Sequence, residues 1–376
     1  MNSGRAGLAA LAVVAAACAT ACTGDADDAA PAVATWTVTP ELTIGGADEG
    51  PTSFSDLRGL GVDGQGRIYV LDAQEQVVRV FDEEGAFVRQ VGRSGGGPGE
   101  FRQANGIAVD RDDRLWVYDP QAMRVTIFDS GGKVAATHAL HMSSFGYVWP
   151  GTIDTLGHLY DVQFMPADTS YLPRIRRVDF ESGRIDTLPL PDCPAEDAPH
   201  YSYDVERASG TKSVPFASGE FQQLDPAGYQ WCGDTGEFRI ARYPLGDSVP
   251  DREISATVRP AEVTQSDRDS AIAEVEKFGE RAGAAWDPDL SRIPSTKPVV
   301  QTLDFDDAGR IWVRAETAEG KRLFIFDSTG RQLAQAAFPY PASRWIPLVI
   351  RGDRIYAIST DSLDLPAVMR FRVATR

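Results

Sequence analysis

Gly59-Leu60-Gly61-Val62-Asp63-Gly64-Gln65-Gly66-Arg67-Ile68-Tyr69-Val70-Leu71-Asp72 returns 47 residues later as Gly106-Ile107-Ala108-Val109-Asp110-Arg111-Asp112-Asp113-Arg114-Leu115-Trp116-Val117-Tyr118-Asp119. At the same offset Val80-Phe81-Asp82 comes back as Ile127-Phe128-Asp129, each followed by a glycine turn at Gly85 or Gly132. Apolar and polar residues alternate between Asp/Gly turns, which is the pattern of short strands joined as hairpins. Four such strands in about 40–50 residues, repeated, describe the blade of a propeller.

Weaker copies follow. Ile153-Asp154-Thr155-Leu156-Gly157-His158-Leu159-Tyr160 opens a third unit and Leu224-Asp225-Pro226-Ala227-Gly228-Tyr229-Gln230-Trp231 marks a fourth. Phe305-Asp306-Asp307-Ala308-Gly309-Arg310-Ile311-Trp312 begins a fifth and Val349-Ile350-Arg351-Gly352-Asp353-Arg354-Ile355-Tyr356 a sixth. The sixth has no room for an outer strand before Arg376, while a surplus strand stands at Thr35–Val38 through Leu42–Gly45. The expected fold is all-β: a six-bladed β-propeller over 35–376, closed by the N-terminal strand so that no sheet edge stays open. An insertion at 259–297, between blades 4 and 5, carries a helix. Thr264 or Ser266 is its N-cap, with Asp267 or Asp269 three residues on, and Ile272, Val275 and Phe278 recur at helical spacing up to about Ala285.

The chain begins with a run of ten apolar residues, Leu8–Ala17, too short for the roughly 20 that cross a bilayer and suited to an export signal over 1–21. Ala19-Thr20-Ala21-Cys22 resembles a bacterial lipobox, with Ala15-Ala16-Ala17-Cys18 as second choice; Cys22 is favoured because the polar stretch Thr23-Gly24-Asp25 follows it directly. Residues 22–34 then read as a disordered tether. Gly92-Arg93-Ser94-Gly95-Gly96-Gly97-Pro98-Gly99-Glu100-Phe101, followed by Gly106–Asp110, resembles an NHL-type repeat junction. Together these features are similar to the six-bladed β-propeller lipoproteins of bacteria, most closely over 57–141 and least over 147–258. The resemblance implies an exported protein facing the periplasm or cell surface, held to the membrane by its lipid alone. Relatives of this architecture include binding scaffolds as well as metal-dependent lactonases and lyases, so it selects no activity. The lactonases use Asn with Glu and Asp in the channel, and beyond the signal this chain has one Asn, Asn105.

Composition narrows the partners. The chain has 54 Asp+Glu against 37 Lys+Arg, a net charge of −17, which disfavours nucleic acid and direct attraction to anionic lipid. Cys193 and Cys232 are the cysteines left after the lipobox; an oxidising compartment makes them an expected disulfide, with two free thiols or half a metal site as the alternatives.

Loop lengths are asymmetric. Turns after inner strands are minimal, whereas 92–105, 142–150, 191–215 and 259–297 all join an outer strand to the next inner one. Those connections share one face, which is therefore the expected ligand face. Its candidates are Arg93, His141, Trp149, His200, Tyr201, Tyr203, Trp286, Lys297, Arg344 and Trp345. Flat aromatics beside cations suit a protein, a peptide or a glycan.

Chemistry-bearing motifs are sparse. Gly59–Gly64 fits GxGxxG by letter but sits on a strand that opens no helix. Gly95–Gly99 lacks the Lys of a phosphate loop, and the calcium-loop start at Asp304 has Ala315 where a bidentate Glu is needed. The four histidines show no HxH or HExxH spacing, and there is no GxSxG elbow. His158 occupies a turn and reads as solvated; His141 and His200 are the candidate general bases. No catalytic residue, metal or cofactor is assigned. The expected function is a monomeric, non-enzymatic binding scaffold. The alternative is a metal-dependent hydrolase, lactonase or lyase working in the channel.

Overall fold

Each of the two strongest copies folds as a four-stranded antiparallel sheet in the computed structural model. The described residues are 33–46, 49–141, 149–167, 170–193, 195–205, 208–280, 286–360, 363 and 365–375. The export signal, Cys18, Cys22 and the tether up to residue 32 lie outside them. Along the chain, β1 (Ala34–Gly45) precedes blade 1, built from β2 (Leu57–Val62), β3 (Ile68–Asp72), β4 (Val77–Phe81) and β5 (Phe87–Val91). Blade 2 holds β6 (Ile107–Val109), β7 (Leu115–Asp119), β8 (Arg124–Phe128) and β9 (Val134–Ala139). Blade 3 holds β10 (Leu159–Ala167), β11 (Ser170–Asp179) and β12 (Arg184–Pro189), with a single bridge from Ile153 to Leu159 where an inner strand would lie.

A hairpin, β13 (His200–Val205) and β14 (Ala208–Ser213), interrupts the path to blade 4, which comprises β15 (Glu220–Leu224), β16 (Tyr229–Asp234), β17 (Arg239–Pro244) and β18 (Arg252–Ser255). Helix α1 (Gln265–Gly279) follows. Blade 5 is β19 (Val300–Phe305), β20 (Ile311–Thr317), β21 (Gly320–Phe326) and β22 (Gln332–Ala337); blade 6 is β23 (Val349–Arg351), β24 (Arg354–Thr360) and β25 (Pro366–Ala374). Thr37–Gly45 of β1 pairs antiparallel with β25 and completes blade 6, as the surplus strand predicts. Ala34–Trp36 of the same strand also pairs parallel with β22, which joins blades 5 and 6 into one eight-stranded sheet. The sequence did not foreshadow that second pairing.

Strands read as continuous apolar runs where both faces are covered by neighbouring blades. β3 and β7 are buried at every residue, whereas the outer β9 and β12 are exposed or half-exposed throughout. The seams between blades are therefore the core. Seams 1/2, 2/3, 4/5, 5/6 and 6/1 each hold nine to thirteen buried apolar residues, for example Leu71, Val80, Phe101 and Val117 at seam 1/2. Seam 3/4 has Cys232, Ala241 and Tyr243 with Cys193 against them, and there the Cys193–Cys232 disulfide closes a separation of 39 residues. A covalent bond thus stands where the other seams have a hydrophobic cluster.

The two long insertions pack on each other. Tyr201 of the hairpin, Val214, Val275 of α1 and Ile293 form a separate apolar cluster, edged by Phe216, Ile272 and Trp286. Thr264 is the N-cap and, with Asp267, makes the expected capping box: the Asp267 amide donates to Thr264 Oγ1 at 3.1 Å and the Thr264 amide to Asp267 at 3.0 Å. The described helix ends at Gly279, and residues 281–285, where the sequence suggested it would continue, lie outside the described residues. Trp286 lies so close to Gly279 that a Cβ there would fall 1.8 Å from its indole, so no larger residue fits.

Reduction of the disulfide removes about 4 kcal/mol of loop-closure stabilisation by the chain-entropy relation. Its effect should be local: amide exchange measured with and without dithiothreitol will accelerate first in β10–β12 and β16–β17. Uniform acceleration across all blades would show that seam 3/4 does not depend on this bond.

Candidate functional site: the central channel

The inner strands of five blades and, in blade 3, the segment 149–155 surround a cavity of about 590 Å³. Its walls are mainly apolar, from Leu60, Val62, Ile107, Val109, Leu303 and Ile350. It reaches the face of the short turns, where Gly64, Asp113, Ala227, Gly309 and Arg351 line it. The face that sequence length singles out is the opposite one.

One turn design, used five times, shapes this mouth. An aspartate ending the inner strand accepts the amides two and four residues on, plus an aromatic N–H or O–H six residues on. Asp306 takes the amides of Ala308 (3.0 Å) and Arg310 (2.8 Å), Arg310 Nε (2.5 Å) and Trp312 Nε1 (2.8 Å). Asp110 does the same with Asp112, Arg114 and Trp116, and Asp63 with Gln65, Arg67 and Tyr69. At Asp154 the fourth position is His158, whose Nδ1 lies 2.8 Å from the carboxylate. His158 is thus a partner in the clamp, 19 % exposed at its side chain, and the expectation of a solvated turn residue is corrected. Asp225 has Tyr229 at that position; its cation comes from Arg242, stacked 3.9 Å over the Tyr229 ring.

These environments move protons in different directions. Burial opposes the charge on Asp154, yet donors from His158, Tyr160 and Leu156 hold its carboxyl below the usual range. Burial dominates at Asp225 and pushes it up, against the Trp231 N–H and Arg242. Burial also raises Asp304 on β19, although Arg314 Nε lies 2.8 Å away and the Leu348 amide donates at 2.7 Å. Burial, then the Asp63 charge, pushes Tyr69 up to about 12. Asp113 and Asp307 at the rim accept amides from the neighbouring blade, Gly64 at 2.7 Å and Gly352 at 3.3 Å. Arg111 and Arg351 also line the cavity, and neither has a carboxylate partner among the described residues.

The residues proposed from sequence scatter. Trp149 is 1 % exposed, donates to the Tyr160 carbonyl at 3.2 Å and packs edge-on to Tyr118, so it belongs to seam 2/3 and offers no binding surface. Tyr201 is 3 % exposed and donates to the Asp289 carbonyl at 3.1 Å. Tyr203 and Trp286 pack against each other and Phe278, and Trp286 Nε1 donates to the Val275 carbonyl. The structure brings these three aromatics together, but as the interior of the inserted unit. Lys297 is held between Asp267 (3.1 Å) and Glu316 (3.2 Å), tying helix to blade 5. Arg93 pairs with Glu100 at 2.7 Å in the blade junction. His141 and His200 are exposed, and their carbonyls accept from Arg176 and Arg292 respectively. Arg344 and Trp345 stay open, the guanidinium stacked 4.4 Å over an indole that is 67 % exposed. Sequence reasoning missed Arg111, Arg351 and Asp304, although the first two stand beside turn aspartates that the repeat already marks. Among the described residues no three His, Cys, Asp or Glu side chains gather as a metal would require, and no helix is long and apolar enough to cross a membrane.

A family model described as 6-bladed beta-propeller matches residues 61–149. Among solved structures, a member of the duf4221 family from Bacteroides vulgatus is similar over 91 % of this chain and 99 % of its own, at 11 % identity and a TM-score of 0.50. A gluconolactonase from Xanthomonas campestris is similar over 86 % of this chain and 87 % of its own, at 14 % identity and a TM-score of 0.44. A virginiamycin B lyase from Staphylococcus aureus is similar over 90 % of this chain and 99 % of its own, at 10 % identity and a TM-score of 0.45. No curated protein matches the sequence. Identities this low speak to the fold alone.

The clamp has a pH signature. Tyr69 keeps its proton to about 12 in the folded chain, whereas an unfolded tyrosine ionises near pH ~10. Its contribution is therefore complete below pH ~10 and is lost as pH rises through the folded value. Tyr69→Phe should lower stability by about 1–2 kcal/mol at pH 7 and flatten the loss above pH 10, read from urea midpoints across pH 7–11.5.

Proposed function

We propose that the protein is a non-enzymatic binding scaffold of the cell envelope, a six-bladed β-propeller lipoprotein that takes a protein, peptide or glycan ligand at its channel. One observation carries this reading: the buried carboxylates at the channel are already used, and the rim carboxylates Asp113 and Asp307 accept the Gly64 and Gly352 amides of neighbouring blades. Asp110, Asp154, Asp225 and Asp306 each hold three or four donors within their own hairpin, and Asp304 is paired with Arg314. A general base or a metal ligand needs a free lone pair directed at the substrate. Spending these carboxylates on chemistry would dismantle the turns that form the mouth. Arg111 and Arg351 remain, with apolar walls below them, as recognition surface.

Anchoring rests on the lipobox-like sequence. A diacylated Cys22 would fix the chain to the membrane through its acyl CH₂ groups, each worth ~0.8 kcal/mol. Attraction of the polypeptide itself to anionic headgroups is opposed by a net charge of −17. Monomeric action fits a fold in which β1 of the same chain completes the last blade. Nothing in the acidic surface invites nucleic acid.

A photo-crosslinking residue placed at Arg111 or Arg351 should give a defined adduct in the native envelope, and one placed at the exposed Lys133 of an outer turn should not. Chelation should leave the melting temperature of the tag-free domain unchanged. Stoichiometric metal with a chelator-sensitive melting point would overturn the reading in favour of a hydrolase or lyase. Replacement of both Cys22 and Cys18 by Ser should release the protein from the membrane fraction; retention there would remove the lipid anchor from the proposal.

A further inference from the structure

A second, smaller cleft of about 220 Å³ lies on the long-connection face of blade 5, roofed by the chain passing from β22 to β23. Its charge is opposite to that of the protein. Lys321 and Arg322 of β21 and Arg344 of the connection line it, and none has a carboxylate partner among the described residues. The one acid in the lining, Glu316, stands opposite Lys321 in register but bonds to Lys297 at 3.2 Å. Arg314 is also in the lining and is satisfied by Asp304 and by the Ser343 carbonyl at 2.6 Å. In a chain with 54 acids and 37 bases, three unpaired cations in one cleft are a local excess that folding itself does not call for.

A second observation points the same way. Arg322 Nε is buried and has no acceptor. A buried donor left unsatisfied costs about 1–3 kcal/mol and calls for a partner; six other buried side-chain atoms share this state, and Arg322 Nε alone among them belongs to the cleft lining. One side of the cleft is aromatic: Phe338 and Tyr340 pack edge-to-face with ring centroids 5.5 Å apart, and Tyr340 lies against Phe371 at 4.6 Å, which fixes its ring. The Arg344 guanidinium stacks 4.4 Å over the exposed Trp345 indole, which itself lies outside the cleft lining and steadies the cation.

We propose that this cleft binds a carboxylated sugar ring, a uronic acid residue. The carboxylate supplies two acceptors in the planar arrangement that a guanidinium fork matches. The ring supplies an apolar face for Tyr340. A volume of about 220 Å³ admits one such ring and not a chain of them. The assignment rests on the binding reading above but places this ligand away from the channel, on the face that the sequence pattern had favoured.

Titration of the soluble domain with glucuronate, followed by calorimetry, tests it. Saturable binding is expected, weakened by added salt, with glucose and sulfate each failing to compete at equal concentration. Arg344→Gln and Lys321→Gln, both at exposed positions, should each weaken binding at least tenfold while leaving the melting temperature of the free protein unchanged. Arg322→Gln should abolish it; should that variant fail to fold, Lys321→Gln supplies the same reading. Absence of glucuronate binding, equal competition by sulfate, or wild-type affinity in the Arg344 and Lys321 variants would each overturn the proposal. Crosslinks from Arg111 or Arg351 that persist in the cleft variants would leave the channel reading standing by itself.

Discussion

A carboxylate at the end of a buried strand must find donors or lose its charge, and Asp63, Asp110, Asp154, Asp225 and Asp306 meet that demand in one way. Each draws two amides of its own turn and an aromatic donor of the next strand onto itself. The consequence is a fixed hairpin with the first two strands of the blade in register and a large aromatic ring held at the seam. Trp312 and Trp231, both 1 % exposed, are placed this way, and seams 5/6 and 4/5 are assembled around them. Charge satisfaction in the turn and hydrophobic packing between blades are thus one arrangement seen from two ends. Blade 6 is the exception. It turns through Gly352-Asp353, with Gly352 at a φ of 57° and no clamp, and it is also the blade that depends on a strand from the other end of the chain.

A second set of aspartates secures the blades to one another. Asp72, fully buried at the end of β3, accepts the amides of Ser55 and Asp56, and Asp119 at the end of β7 accepts those of Arg102 and Gln103. Each grips the incoming connection of its own blade. Much of the negative charge that the composition shows is therefore internal wiring of turns, with arginines such as Arg67, Arg114 and Arg310 set against it. The acidic total describes the fold before it describes any partner.

The repeat made blades 1, 2 and 5 legible because the clamp leaves a written trace: Asp, a cation four residues on, an aromatic two further. The same trace with His158 or Tyr229 in the middle is harder to read, and blade 3 adds to the difficulty by reducing its inner strand to one bridge. The hairpin of β13 and β14 was invisible for a different reason. Its residues (Tyr201-Ser202-Tyr203 against Gly210-Thr211-Lys212) carry little apolar alternation, and tertiary contact with α1 is what holds them. Candidate aromatics failed as surface markers because a sequence gives residue type but not which insertion will pack on which. Tyr201, Tyr203 and Trp286 lie in two connections more than 80 residues apart and meet only in the folded chain. The channel cations were missed because an arginine counts as free only once its neighbours are seen to be engaged elsewhere.

The N-terminal strand has a mechanical meaning. Whatever precedes Ala34 is attached at the first residue of β1, whose register runs alongside β22 and then β25. A force applied through the N-terminus along the axis of that strand loads its ladder in shear, across many hydrogen bonds at once, instead of peeling them one by one. The same strand is the latch of the ring. A chain held by its N-terminus is therefore tethered through the element whose release would open it, in the geometry that resists release best.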